Sequence, residues 1–283
     1  MGPSDTTSPP AVVITGASSG IGRACALHLS GLGFQVFAGV RREADADSLR
    51  REGAGRLTPV LLEVTDIDSI FDAARAITGE VSGRGLAGLV NNAGIVVSGP
   101  LEFMPLAELR RQLEVNVIGQ VAVTEYFLPL LRFARGRIVN MGSISGRVVT
   151  PFLGPYTASK FAFRALNDTM RMELRRSGVQ VALVEPGPVQ TPLWGKSISL
   201  AQEAQERMPK RAHTYYGRAF QKAQTMAEAF GQVGAPTSVV VRAVEHALTA
   251  KRPRVRYRLY HRRLMHLLPA RFLDWLIANA LGL

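Results

Sequence analysis

Tyr156 and Lys160 stand four residues apart in the segment YTASK, so a helix there puts a phenol one turn before an ammonium. The chemistry open to such a pair is proton transfer. A tyrosine ordinarily titrates near pH 10, and bringing it near 7 takes about 3 units, or roughly 4 kcal/mol. A unit charge about 4 Å away at an effective dielectric near 20 supplies about 4 kcal/mol. Lys160 is therefore expected to lower the Tyr156 pKa, making the phenol a general base for alcohol oxidation and a general acid for carbonyl reduction. Ser143, thirteen residues upstream in MGSISG, offers a hydroxyl that would hold the substrate oxygen. Asn116, in LEVNVIG, is the fourth candidate. Read singly, the pair is equally a surface contact, Ser143 a loop hydroxyl and Asn116 a helix-kink residue. The elements that would position them decide.

Short β-branched runs alternate with helical stretches through the first two thirds of the chain. The runs are residues 11–15, 34–40, 57–64, 86–92, 137–141 and 179–186, and RVRYRLY at 254–260 reads as a further alternating strand. Near-continuous apolar strands separated by helices predict βαβ units: one α/β domain with a doubly wound parallel sheet of about seven strands and helices on both faces. TGASSGIG (15–22) follows the first run and opens the first helix. Gly16, Gly20 and Gly22 would let the backbone turn tightly against a pyrophosphate, and the helix start would offer free N–H groups to that anion. Residues 191–236 are helix-prone but polar, and they interrupt the alternation as a substrate-loop insertion. Residues 1–10, polar and proline-rich, are expected to be a disordered tail rather than a signal or transit peptide, with 11–283 as the domain. Residues 261–283 are expected to form an amphipathic helix broken at Pro269.

These motifs, taken in order, resemble the short-chain dehydrogenases/reductases over about residues 11–195. The resemblance rests on Thr15-Gly16-x-x-x-Gly20-x-Gly22, Asn91-Asn92-Ala93-Gly94, Asn116, Ser143, Tyr156-x-x-x-Lys160, and Pro186-Gly187 followed by Val189 and Thr191. NNAGIVVSGPLEFMPLAELRRQLEVNVIGQ and the TPLW start of the insertion are similar to the 17β-hydroxysteroid and retinol dehydrogenase branch. The resemblance implies a Rossmann-type fold and a nicotinamide cofactor. It implies that Asn116, Ser143, Tyr156 and Lys160 are catalytic, with Lys160 also bonding the nicotinamide ribose and Asn116 holding a water that relays protons to Lys160. It implies that Thr15, Gly16, Ser18, Ser19, Gly20, Ile21, Gly22, Glu63, Val64, Asn92, Ala93, Gly94, Pro186, Gly187, Val189 and Thr191 surround the cofactor. It also implies a homodimer or homotetramer packed through the helices holding Asn116 and Tyr156. One departure bears on the adenine: Glu63 stands where the family usually has Asp.

The end of the second strand reads Ala38-Gly39-Val40-Arg41-Arg42, with no acid to hold an adenosine ribose diol. Guanidinium groups there would bind a 2′-phosphate, so NADP(H) is expected ahead of NAD(H), with Arg41 the main contact and Arg42 in support. Solvated loop charges are the alternative, and Glu43 nearby leaves NAD open. Between the Ser143–Tyr156 loop and the insertion, Val149, Phe152, Leu193, Trp194, Tyr215, Tyr216 and Phe220 are expected to line a pocket for a lipophilic alcohol or ketone, sterol- or retinoid-like; the plainer expectation is that several pack the lid. Small or acyl-chain carbonyls, and a non-catalytic dinucleotide-binding scaffold, are the competing functions. An intact Asn–Ser–Tyr–Lys set favours the enzyme.

The 283-residue composition, 47% hydrophobic and 20% charged, is that of an ordinary globular domain. A single cysteine, Cys25, excludes an intramolecular disulfide and fits a reducing, cytoplasmic setting. No run approaches the length of a membrane span, and the five histidines show no metal spacing. Most of the net charge of +12 lies after residue 190, with seven basic residues and no acid from Lys251 to Arg263. Such a block is either a solvated face or a peripheral contact with an anionic membrane; nucleic acid is not expected, since no recognition motif accompanies the charge.

Overall fold

In the computed structural model, residues 8–53, 56–206, 208–260 and 269–283 are described. Seven strands form one sheet: β1 (Ala11–Ile14), β2 (Gln35–Val40), β3 (Leu57–Leu61), β4 (Gly88–Asn91), β5 (Arg137–Met141), β6 (Gln180–Pro186) and β7 (Arg256–Leu259). Their order is β3-β2-β1-β4-β5-β6-β7, and each pairing is parallel. Parallel neighbours need crossovers, and helices supply them. The doubly wound single domain expected from the alternation, and the Rossmann-type fold implied by the resemblance, are the ones observed.

The period-2 strand geometry sorts side chains onto two faces. Val12 and Ile14 join a cluster with Cys25 and Leu29 of α1 (Gly20–Gly31), Leu49 of α2 (Glu43–Glu52), and Val240 and Val244 of α9 (Thr237–Thr249). Ala11 and Val13 join the opposite cluster. There Ile70 and Ile77 of α3 (Ile67–Glu80) and Phe127 and Leu131 of α5 (Gly119–Ala134) are buried, with α6 (Gly154–Glu173) beside them. Asn91 of β4 donates to Thr124 of α5 at 2.8 Å and to Asn140 of β5 at 2.9 Å, and Asn140 donates to Asn167 of α6 at 3.0 Å. A buried amide relay of this kind fixes the elements that carry the site relative to one another.

Helix α4 (Leu106–Leu113) runs into α5 through a π-helical turn, Glu114–Ile118, in which the Gly119 N–H bonds the Glu114 carbonyl. The combined helix, 106–134, is long and apolar enough to cross a membrane by length and composition, yet its apolar residues include the face that covers the sheet. The insertion folds as α7 (Pro192–Glu206) and α8 (Lys210–Val233), and the chain ends in α10 (Ala270–Leu281) after Pro269. Residues 1–7 of the expected tail and 261–268 of the expected C-terminal helix lie outside the described residues. Arg256 and Arg258, read from sequence as part of a basic block, project onto the α6 side: Arg256 pairs with Asp168 and Arg258 lies 3.8 Å from Glu185. They are tied to buried or half-buried carboxylates, so the free basic surface is smaller than composition implies.

Candidate active site

The order of the sheet reverses between β1 and β4, and a crevice opens there at the carboxyl ends of the strands. The glycine loop follows β1, and Asn92–Gly94 follow β4. Gly16 has φ +64°, and a Cβ there would meet the Ala93 Cα at 2.7 Å. A Cβ on Gly22 would lie 2.3 Å from the Gly16 carbonyl oxygen. Gly22 thus serves the packing of the loop on its own helix. Thr15 and Asn92 brace the loop from below. The Thr15 hydroxyl accepts from the Asn92 and Ala93 amides at 2.9 and 3.0 Å, and Asn92 Nδ2 donates to the carbonyls of Thr15 and Gly16 at 2.9 and 3.1 Å.

The resulting cleft, about 290 Å³, is lined by Gly16, Ser18, Ser19, Gly20, Ile21, Arg41, Glu63, Val64, Asn92, Ala93, Gly94 and Thr191, all expected around a cofactor. It has no room for a Cβ at Gly16, and Ser19 at the start of α1 makes no side-chain cap bond. Free helix N–H groups, a partial positive charge and the Arg41 guanidinium fit a dinucleotide. Arg41 is exposed and lies 3.8 Å from Glu63 Oε2, while Glu63 Oε1 accepts from the Thr65 amide and hydroxyl at 3.2 and 3.0 Å. Arg42 departs from expectation: Asp45, one turn into α2, holds its guanidinium by a fork at 2.9 and 3.0 Å, and it does not line the cleft. Thr15, Gly22, Pro186, Gly187 and Val189, expected around the cofactor, do not line the cleft either. Sequence reasoning missed Arg23, which ties Ser18 of the loop to Ser48 and Glu52 of α2, and Arg111 and Val115, which line the cleft. Arg111 and Val115 stand four residues apart, one helical turn, just ahead of Asn116, and that spacing was the available signal.

The proton-transfer candidates converge beside this cleft. Ser143 follows β5, opens a 3₁₀ turn (Ile144–Gly146), and its hydroxyl accepts the Ser145 N–H at 3.1 Å. Tyr156 and Lys160 lie in the first two turns of α6. Lys160 Nζ donates to the carbonyl of Met141, the last residue of β5, at 2.8 Å, and stands 5.8 Å from the Tyr156 ring centroid. The Ser143 hydroxyl is near enough to the phenol to act on its titration. Asn116 occupies the π turn. Its Oδ1 accepts from the Ile95 amide at 2.9 Å, and its Nδ2 donates to the Ile95 carbonyl at 3.0 Å and to Ser159 at 3.1 Å. Asn116 therefore clamps the segment after β4 to the residue preceding Lys160.

In the cofactor-free chain the shift at Tyr156 is opposite in sign to the one expected from Lys160 alone. Burial pushes the phenol above its ordinary value, and the Ser143 hydroxyl only partly opposes this. Burial also depresses Lys160 to about 8. The ammonium faces the ring and a backbone carbonyl, so desolvation of both groups outweighs their attraction.

The expected substrate pocket is also revised. Val149 and Tyr215 are 59% and 67% exposed. Leu193 lines the dinucleotide cleft, and Trp194 donates to the Val189 carbonyl at 3.2 Å. Phe152, Tyr216 and Phe220 pack on one another, with ring centroids 5.2 Å apart for Phe152–Phe220 and 6.2 Å for Phe152–Tyr216. Phe152 holds φ +67°, a left-handed conformation costly for an aromatic residue, four positions before Tyr156. Tyr216 donates to Glu102 at 3.0 Å, which closes α8 onto the body. The plainer expectation, lid packing, describes these aromatics.

A doubly wound parallel sheet with a glycine-lined crevice, a buried Tyr156 and Lys160 and a half-buried Ser143 defines a dinucleotide-binding oxidoreductase. The short chain dehydrogenase pattern matches residues 10–201, and the chain belongs to that family, in the retinol and 17β-hydroxysteroid dehydrogenase branch. It is 35% identical over 272 residues to an NADPH-dependent 3-dehydrocapnine reductase of Ornithobacterium rhinotracheale, covering 93% of this chain and 94% of that protein. It is 38% identical over 252 residues to retinol dehydrogenase 5 of Mus musculus, covering 87% of this chain and 79% of the relative. A short-chain dehydrogenase structure from Streptomyces avermitilis superposes with a TM-score of 0.76 at 28% identity, covering 96% of this chain and 94% of the other.

Proposed function

We propose that this chain is an NADP(H)-dependent enzyme that interconverts an alcohol and its ketone or aldehyde on a lipophilic, hydroxysteroid- or retinoid-like substrate. The observation that carries the reading is the buried Tyr156 phenol, with Lys160 Nζ 5.8 Å from its ring centroid and the Ser143 hydroxyl acting on its titration, joined to the glycine-lined cleft through the Asn116–Ile95 hydrogen bonds. The bound nicotinamide supplies or accepts the hydride. The uncapped start of α1 receives its phosphates, and Arg41 receives the 2′-phosphate that distinguishes NADP(H).

Ser143 donates a hydrogen bond to the substrate oxygen and orients it. Tyr156, kept protonated by burial, gives its Oη proton to that oxygen in carbonyl reduction and takes one back in alcohol oxidation. The Asn116 side chain is spent on Ile95 and Ser159, which leaves the backbone of the π turn, where the helical ladder is interrupted, to hold a relay water for Lys160.

A second reading, reduction of a small or acyl-chain carbonyl, is favoured by the near full-length match to an NADPH-dependent reductase. A homodimer or homotetramer is supported by the exposed Phe133 of α5 and Phe161 and Met172 of α6. Peripheral membrane contact by a cytoplasmic enzyme is supported by exposed Phe272, Trp275 and Leu276 on α10.

The test is a panel of steroid, retinoid, acyl-chain and simple carbonyls and alcohols, followed at 340 nm with NADPH and NADH. Turnover is expected with NADPH, falling by about 10²- to 10⁴-fold in Tyr156→Phe while NADPH still binds. Undiminished activity in that variant overturns the mechanism.

A further inference from the structure

Arg147 and Glu185 form the most deeply buried ion pair among the described residues, with side chains 7% and 1% exposed. The contact is a fork: Arg147 Nε donates to one carboxylate oxygen at 2.8 Å and Nη2 to the other at 3.0 Å. Arg147 directly follows the 3₁₀ turn that Ser143 opens, and Glu185 is the penultimate residue of β6. Neither side chain lines the dinucleotide cleft.

The turn between them has little freedom. Arg164 donates to the Gly146 carbonyl at 3.1 Å, and a Cβ on Gly146 would lie 3.0 Å from the Lys160 carbonyl oxygen. The Gly142 amide bonds the Val184 carbonyl at 2.7 Å. On the far side of Glu185 the chain leaves β6, and Thr191 reaches the glycine loop, 3.3 Å from where a Gly20 Cβ would be; Thr191 and Leu193 then line the cleft. Arg147 and Glu185 therefore stand where the proton-transfer side of the site is fastened to one wall of the cofactor cleft.

Stability does not require an ion pair at this place. Two buried charges must be desolvated, and an apolar pair of similar volume often holds a fold as well or better. What the fork adds is fixed orientation, because two parallel N–H···O bonds define both distance and angle. We propose that the Arg147–Glu185 fork is a positioning device that sets Ser143 relative to the cleft wall at Thr191 and Leu193. The proposal rests on Ser143 and Tyr156 being the reacting pair. Arg147 and Glu185 lie outside the cleft and act through the turn that joins Ser143 to Arg147.

The test compares the wild-type chain with the double variant Arg147→Met/Glu185→Leu, which removes both charges at similar volume, and with Arg147→Lys, which keeps the charge and loses the fork. Each is assayed for thermal unfolding, NADPH affinity, emission of bound NADPH, and kcat and KM on the substrate found in the panel. The double variant is expected to melt cooperatively and bind NADPH within about threefold of wild type, while kcat falls about 10²-fold, the usual cost of misplacing a reacting group by an ångström. Its bound NADPH is expected to show altered emission, and Arg147→Lys is expected to fall between. A folded double variant with wild-type kcat and wild-type emission overturns the proposal. If the double variant does not fold, Arg147→Lys decides: unchanged kcat and emission overturn it, and loss of both supports it. A wild-type chain that binds NADPH but turns nothing over overturns the functional reading alone, and the emission comparison then decides the fork.

Discussion

Lys160 shows how one residue's neighbours decide its chemistry. Four-residue spacing to Tyr156 was legible in the sequence, and so was its candidacy for proton transfer. The sign of the effect was not, because it depends on how much water each group loses. Burial holds Lys160 at about 8, against 10.5 for the free side chain. The unfolded chain therefore binds more protons than the folded one between those values, and stability rises with pH through that window. At 1.36 kcal/mol per unit the full span is on the order of 3 kcal/mol. Tyr156 works in the opposite sense only above its ordinary value of 10.0. In the cofactor-free protein, Lys160→Met is expected to melt at a higher temperature than wild type at pH 7. The gap should close as the pH is raised towards 10. Thermal denaturation of both chains across that range checks it, and parallel curves would rule it out.

At the scale of elements, the strand–loop–helix unit of residues 11–31 was readable because glycine spacing and apolar runs are local signals. The roles inside it were not. Gly22 is required by the Gly16 carbonyl and Asn92, which come near only after folding. The turn from β2 into α2 behaves the same way. Two adjacent arginines looked equivalent, but Asp45, three residues beyond Arg42, captures that side chain by a helix-turn contact and leaves Arg41 to face the cleft. Arg41→Asp should therefore shift the ratio of NADP(H) to NAD(H) affinity by about 10- to 100-fold, the worth of a charge-assisted bond. Equilibrium binding of both cofactors measures this, and an unchanged ratio removes Arg41 from the assignment. The π turn at Glu114–Ile118 was touched by the sequence only as the alternative of a helix kink at Asn116, since little in LEVNVIG distinguishes it from an ordinary helix.

At the scale of the whole molecule, the insertion and the chain end form one aromatic and aliphatic cluster. Phe152, Ala219, Phe220 and Leu281 are buried together, and Ile277 of α10 packs against them. The opposite side of α10 turns Phe272, Trp275 and Leu276 outward, and the first two rings stack at 6.0 Å. An amphipathic helix beside a basic segment is suited to an anionic lipid surface. The protein is expected to co-sediment with vesicles containing phosphatidylserine at low salt and to be released at high salt, with weaker pelleting for Trp275→Glu. Failure to pellet at low salt would dispose of membrane contact. Because Arg256 and Arg258 face Asp168 and Glu185, the salt sensitivity should come from the remaining basic residues.

What the sequence by itself determined was the alternation of strand and helix, the order of the motifs along it, and hence the family and the residues able to transfer a proton. These are properties of local spacing, and a parallel sheet with right-handed crossovers leaves few ways to arrange them. What only the tertiary structure decided was environment: the upward shift of Tyr156, the capture of Arg42, the commitment of Asn116 to Ile95 and Ser159, and the packing of Phe152, Tyr216 and Phe220 into the lid. Each depends on partners distant in the chain, or on the water that their approach excludes. The Arg147–Glu185 fork is the clearest instance, since 38 residues separate its halves and neither has meaning without the other.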